Sequence, residues 1–178
     1  MSATNQQHQL LQAYKDKSFI SSILAEESYN YYVFIKNLIN IPLIITNSGM
    51  VVINSIITDD NLLKILNIIL NASTGLILSL ISNFKIHENI NQFNQIRIKY
   101  TKLSHLIDNK LISDEEITNE FIKSVVEDYD QITENFDVIY PNHIKAKIKR
   151  QYETKMTLPA SIAADIILVC DNENKCCV

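Results

Sequence analysis

The chain has 178 residues, with 16 Lys and Arg against 20 Asp and Glu and a net charge of −4. That is the size of one domain with tails, and it lacks the clearly basic balance that nucleic acid as a main partner requires. Two glycines and three prolines are too few breaks for a turn-rich β architecture, so an all-α fold with long helices is expected.

Residues 1–9 read as a disordered start, and residues 1–18 are too polar (Gln6, Gln7, His8, Lys15, Lys17) for a signal peptide. From 10 to 36 an N-terminal amphipathic helix is expected, with Leu10, Tyr14, Ile20 and Leu24 on its apolar side. Tyr29, Tyr31 and Tyr32 close it. Phenols suit a lipid headgroup boundary, with ring in the acyl region and hydroxyl in water, though the same residues also suit a core between helices.

A mean hydropathy of +0.02 conceals two apolar runs. Asn37 to Thr58 holds 22 residues without a charge, and Ile65 to Phe84 holds 20. An α-helix needs about 20 residues at 1.5 Å each to cross a bilayer. Two transmembrane helices are therefore expected, 37–58 and 65–84, joined by an external turn at 59–64. Lys15, Lys17 and Lys36 precede the pair, and Lys85, Arg97, Lys99 and Lys102 follow it, while the connection carries Asp59, Asp60 and Lys64. The positive-inside bias then places both termini in the cytosol.

The runs are more polar than an anchor requires. Asn40, Asn47 and Asn54 recur every seven residues, and Asn67, Asn71, Thr74, Ser79 and Ser82 have spacings that fit one broad face of the second helix. An amide in hydrocarbon is costly without a partner, so these faces are expected to turn toward protein or water. Gly49 and Gly75 stand almost symmetrically about the connection and read as a close helix contact. Pro42, near the start of the first run, marks a bend at the bilayer boundary. Three arrangements fit: a tight hairpin, a water-filled path in an oligomer, or the core helices of a soluble bundle.

Residues 85–137 read as a cytosolic helical hairpin, its first helix able to continue the second transmembrane helix as one rod. Phe93, Ile96, Tyr100, Leu103 and Ile107 form one apolar stripe, and Ile117, Phe121, Val125, Tyr129, Ile132 and Phe136 form another. Ser113-Asp114-Glu115-Glu116 has the pattern of a capping box starting the second helix, and the two are expected to pack antiparallel over a turn at 109–113.

Nine acids and one Lys occupy residues 114–137. The basic segment and tail, 138–178, opens on Tyr140-Pro141 and contains Lys145, Lys147, Lys149 and Arg150. These cations either pair with the acidic helix or meet anionic lipid headgroups. Leu158 to Cys170 is apolar but too short to cross a bilayer, and reads as a docking segment or tail. Cys176 and Cys177 are candidates for lipidation by palmitoylation, since Lys175 stands where a prenylated Cys belongs.

No catalytic, cofactor-binding or metal site is expected. His8, His87, His105 and His143 are scattered, and His105 with Asp108 is the one His–carboxylate pair at helical spacing. Two glycines inside the apolar runs cannot build a phosphate loop.

The order of parts resembles a known family. An acid- and tyrosine-rich helix from Glu26 to Tyr32 leads to Asn40-Ile41-Pro42 in the first span, and Gly75 lies within the second. Lys99-Tyr100-Thr101-Lys102-Leu103-Ser104-His105-Leu106-Ile107 and an acidic helix closed by Tyr140-Pro141 follow. This pattern, over residues 20–150, is similar to the SLATT family, two-transmembrane domains predicted to act as membrane effectors beside nucleotide-signalling systems. The resemblance implies oligomerisation and a membrane-perturbing pore, and carries over no catalytic residue. Relatives occur in giant DNA viruses, and the Ile-, Asn- and Lys-rich composition fits an AT-rich genome such as theirs.

The expected protein is thus a two-span membrane protein that oligomerises through its hairpin, with the bilayer, further copies of itself and a protein on the cytosolic helices as partners. The alternatives are a scaffold without pore activity, for instance in an inner virion membrane, and a soluble helical bundle.

Overall fold

A computed structural model describes residues 3–56, 60–113, 116–136 and 138–163. They form α1 (Ala3–Ile56), α2 (Asp60–Asn83), α3 (Ile86–Ile112), α4 (Asn119–Asn135), α5 (Asn142–Tyr152) and the short α6 (Ala160–Ala163), with no strand among the described residues. The all-α class expected from the scarcity of Gly and Pro is the class found. The chain divides into two compact units, Tyr29–Asn91 and the combination of Met1–Ser28 with Gln92–Val178.

Helix α1 begins at Ala3, so residues 3–9 are helical rather than a disordered start, and it continues for 54 residues through Pro42. Proline lacks the N–H that would bond four residues back, and the Thr46 hydroxyl donates to the Pro42 carbonyl at 2.8 Å. Helices α2 and α3 are separate and not one rod. The chain breaks at Lys85, whose φ of 50° lies in the left-handed region, and its N–H bonds the Ser82 carbonyl at 3.0 Å in place of a helical partner. A non-glycine residue there costs about 1–2 kcal/mol.

In the unit formed by Met1–Ser28 and Gln92–Val178, α1 turns inward Leu11, Ser18, Ser21, Ala25 and Ser28. Leu10, expected on the apolar side, is instead exposed, because the inward face keeps a seven-residue rhythm of small residues that a search for large apolar ones passes over. Beside this strip Ile20 and Leu24 are buried with Ile144 and Ile148 of α5 and Ile162 of α6. Burying each such side chain stabilises the fold by about 1.5–3 kcal/mol. Leu158, Tyr140 and Tyr152 pack against the same cluster, so of the expected docking segment or tail at 158–170 the described part, residues 158–163, is packed on it, and residues 164–170 lie outside the described residues.

Helices α3 and α4 run antiparallel. Tyr100 meets Tyr129 with ring centroids 5.5 Å apart, and the Lys99 and Lys110 ammoniums lie 4.8 and 5.8 Å from the centres of the Phe136 and Phe121 rings. All five residues of the expected α3 stripe are buried, as are Val125 and Ile132 of the α4 stripe, with Ile117, Phe121, Tyr129 and Phe136 half-buried. The expected cap is displaced. The Ser113 hydroxyl donates back to the Lys110 carbonyl at the end of α3, and α4 starts at Asn119, where the Thr118 hydroxyl oxygen accepts from the Phe121 N–H at 3.3 Å. The connection therefore lies beyond the expected 109–113 turn. A threonine with β-region backbone before Asn119 fulfils the capping role without the reciprocal glutamate.

Three ion pairs tie the start of α1 to its neighbours. Lys15 pairs with Asp108, Glu26 with Arg97 at 3.9 Å, and Glu27 with Lys147 at 2.8 Å. All are partly exposed, so each contributes at most about 1 kcal/mol and serves mainly to set register.

Among the described residues the Ser18 hydroxyl is the one fully enclosed side-chain polar atom without a hydrogen-bond partner. Ser18→Ala removes an unsatisfied donor and improves helix propensity, so stability rises by about 1 kcal/mol. Ser28→Ala is close to neutral, since Ser28 already bonds the Leu24 carbonyl at 2.8 Å. The denaturant midpoints of the two variants in detergent check this, and a Ser18→Ala midpoint at or below that of the unaltered chain contradicts it.

Candidate functional site

The unit Tyr29–Asn91 pairs the second half of α1 with α2. Asn67 donates its side-chain amide to the Asn54 carbonyl oxygen at 3.4 Å across the two helices. At the other end Ile35 and Ile39 share a notch with Leu80, Ile81 and Ile86. Numbers that rise along one helix fall along the other, so the pair is antiparallel. Ile39, Leu43 and Met50 of α1 are half-buried, as are Leu63, Leu66, Leu70, Thr74 and Ile77 of α2, and Ile81 is buried. On α2 these positions are separated by steps of three or four residues, the spacing of a left-handed helix–helix seam.

Away from the seam the helices are bare. Ile44, Ile45, Val51 and Ile68 are each about two-thirds exposed, and both helices are long and apolar enough to cross a membrane. Water does not favour so much uncovered aliphatic surface on one unit, whereas lipid tails are as apolar as the side chains themselves.

The amides occupy one edge of this hairpin. At about 100° per residue, Asn40, Asn47 and Asn54 lie about 40–80° to one side of the α1 seam, and Asn67, Asn71 and Ser82 about 60–120° to the corresponding side of the α2 seam. In an antiparallel pair those two flanks adjoin. The Asn54–Asn67 bond is the direct evidence for that junction. Six polar residues therefore run along one edge from end to end of the hairpin. Asn40, Asn47 and Asn71 have no hydrogen-bond partner there among the described residues, and Asn47, Asn71 and Ser82 are exposed.

Two expected members lie elsewhere. Thr74 is in the seam, and Ser79 is about 180° from it on the bare face, exposed. The glycines are also reassigned. A Cβ added to Gly49 or Gly75 meets no heavy atom within 4 Å, so neither marks a close approach of the two helices. The seam is formed by Leu, Ile and Met side chains together with Thr74.

Of the basic residues of α5, Lys147 bonds Glu27 of α1 at 2.8 Å, not a residue of the acidic α4. Lys145 lines the cleft described below, Lys149 is half-buried and Arg150 is exposed. His105 is exposed while Asp108 takes Lys15 as its partner. Among the described residues no three His, Cys, Asp or Glu side chains gather to hold a metal ion. Asp59, and Cys170, Cys176 and Cys177 with the lipidation expected of the last two, lie outside the described residues.

A second polar cluster went unread in the sequence because its members come from separate elements. Tyr100 of α3, Tyr129 of α4 and Tyr140 converge on one cleft. The Tyr100 hydroxyl pairs with Thr133 at 2.9 Å, and that of Tyr129 with Ser21. Burial is the main cause that raises all three phenols. Tyr129 is pushed up to about 12, with the Tyr100 phenol adding to the effect and the Ser21 bond opposing it.

Comparison with protein-family models, curated proteins and solved structures finds no match to this chain.

A phenol whose folded pKa lies above its unfolded value near 10 keeps its proton in the folded state after the unfolded chain has lost it. The resulting stability is complete below pH of about 10 and declines as pH rises toward about 12 for Tyr129. Tyr129→Phe should lower stability at neutral pH by about 1 kcal/mol through the lost Ser21 bond, yet flatten the alkaline decline. Unfolding followed at a series of pH values, with phenolate absorbance as the second signal, tests this. An unchanged alkaline slope in the variant refutes it.

Proposed function

We propose that this chain is an integral membrane protein, anchored by the hairpin of α1 and α2 with both termini in the cytosol, that assembles with further copies along its amide edge and perturbs the bilayer. The observation that carries this is the edge itself: Asn40, Asn47 and Asn71 lack partners among the described residues on helices whose remaining surface is mainly aliphatic, the Thr46, Ser55 and Ser73 hydroxyls there being bonded within their own helix. In hydrocarbon an unpaired amide is unfavourable, so the edge has to meet either another amide or water. Copies placed edge to edge supply the first, and a ring of copies with edges inward supplies the second. The resemblance to SLATT domains points the same way. Flanking cations at Lys36 and Lys85, against Asp59 and Asp60 in the connection, support the orientation.

A scaffold without pore activity is the second reading. It is favoured by apolar residues bare on the other unit, Ile112 at 75% and Ile139 at 84% exposure, which suit a protein partner.

The membrane and pore claims fail separately. Carbonate washing should leave the protein in the membrane pellet, and its release into the wash sinks the membrane claim in favour of a soluble bundle. In reconstituted liposomes the unaltered chain should release trapped dye, and Asn40→Leu, Asn47→Leu and Asn54→Leu together should abolish release. Each lost interhelical amide contact should weaken self-association by about 1 kcal/mol, read by crosslinking in mild detergent. Intact self-association with no leak selects the scaffold, and leak undiminished in the triple variant removes the amide edge from the mechanism.

A further inference from the structure

The cleft bounded by the three tyrosines does not take part in the proposed membrane role. It has a volume of about 430 Å³, within the range of small-molecule sites, roughly 300–1,000 Å³. Its walls combine the rings of Tyr100, Tyr129, Tyr140 and Phe136 with aliphatic side chains such as Ile96. The groove on the outer side of α3 and α4 is smaller, at about 320 Å³, and lined by Lys99 and Lys102, both exposed. The notch at Tyr31 and Phe84 has a mainly aliphatic lining beside the rings of Tyr31, Tyr32 and Phe84, with no charged side chain.

The hydroxyls of the cleft differ from one another. Those of Tyr100 and Tyr129 are engaged with Thr133 and Ser21. That of Tyr140 has no hydrogen-bond partner among the described residues, although its ring packs on Phe93 at 5.3 Å. Nor is it one of the fully enclosed unpartnered atoms, where Ser18 stands alone. It is therefore not fully enclosed, and Tyr140 is part of the cleft's lining. A phenol raised by burial remains protonated at neutral pH, so what it offers is a donor. The lining includes one acid, Asp130, and one base, Lys145, which leaves no net charge to select an ion.

We propose that this cleft binds a small, neutral aromatic molecule bearing a hydrogen-bond acceptor, its ring among Tyr100, Tyr129 and Phe136 and its acceptor on the Tyr140 hydroxyl. Aromatic walls favour a flat ring by offset and edge contacts. The Tyr140 hydroxyl, the donor set among the rings, fixes the ligand's orientation, with the exposed Ser161 hydroxyl a further donor in the lining.

Benzamide is the probe, with benzoate and benzyltrimethylammonium as its anionic and cationic counterparts, on the full chain in detergent micelles. With eight tyrosines and no tryptophan, the intrinsic fluorescence reports directly on phenol environments. Benzamide should give a saturable change and a raised melting temperature, with affinity above that for either charged probe. Tyr140→Phe keeps the ring and deletes only an unpartnered hydroxyl, so the variant should fold as the unaltered chain does and bind benzamide about tenfold more weakly, the worth of one ordinary hydrogen bond. Equal benzamide affinity in the variant overturns the proposal, as does preference for a charged probe or the absence of saturation. The probe ranking on the unaltered chain tests the claim without any substitution.

Discussion

A side-chain amide surrounded by aliphatic groups needs a partner, and this constraint governs the hairpin. Antiparallel pairing gives Asn54 and Asn67 to each other at 3.4 Å and leaves Asn40, Asn47 and Asn71 without partners among the described residues. The seam is filled by Leu, Ile and Met, with Thr74 the one polar residue, half-buried in it. Lipid can solvate the faces that carry Ile41, Ile45 and Ile68, but it cannot satisfy an amide. The two halves of the hairpin surface therefore ask for different neighbours. On the proposed membrane reading, that difference sets an assembling hairpin apart from a plain anchor.

The other unit solves the opposite problem. Its helices bury apolar stripes against one another, and α1 contributes a face of Ser18, Ser21, Ala25 and Ser28 where large residues would be expected. Small side chains leave space for the rings opposite, as in the edge contact of Tyr14 with Tyr129 at 5.4 Å. Ile20 and Leu24, on the neighbouring strip, supply the apolar area that holds α5 and α6. One helix thus carries a small-residue groove and an aliphatic ridge side by side.

What was legible in the sequence follows periodicity. The stripes on α3 and α4 were readable because large apolar residues recur at helical spacing, and so were the lengths of the two apolar runs. Leu11 was missed for Leu10 because serines dilute the period on that face. Thr118 is not legible beside Ser113 because the capping box asks for Glu or Gln three residues on, and Thr118 has Phe121 there. The repeat of Asn40, Asn47 and Asn54 was visible, but its junction with Asn67 depends on how the connection sets the antiparallel register. Ser79 shares the chemistry of that edge and not its angle. Tyr100, Tyr129 and Tyr140 come from two helices and a loop, and no local spacing predicts that three such residues meet.

Unsatisfied polar groups in this chain take their meaning from what can reach them. The Ser18 hydroxyl is enclosed on all sides, so nothing can bind it and its lost hydrogen bond is a cost to folding. The Tyr140 hydroxyl borders a cleft, so a molecule of the right size can complete it. The amides of Asn47 and Asn71 lie open on a helical surface, where only an extended partner with its own polar edge, or a column of water, can satisfy several at once. The same deficit is a cost to folding in the first case, while under the two proposals a small ligand answers the second and another copy of the chain, or water, the third. Burial, rather than residue type, separates them.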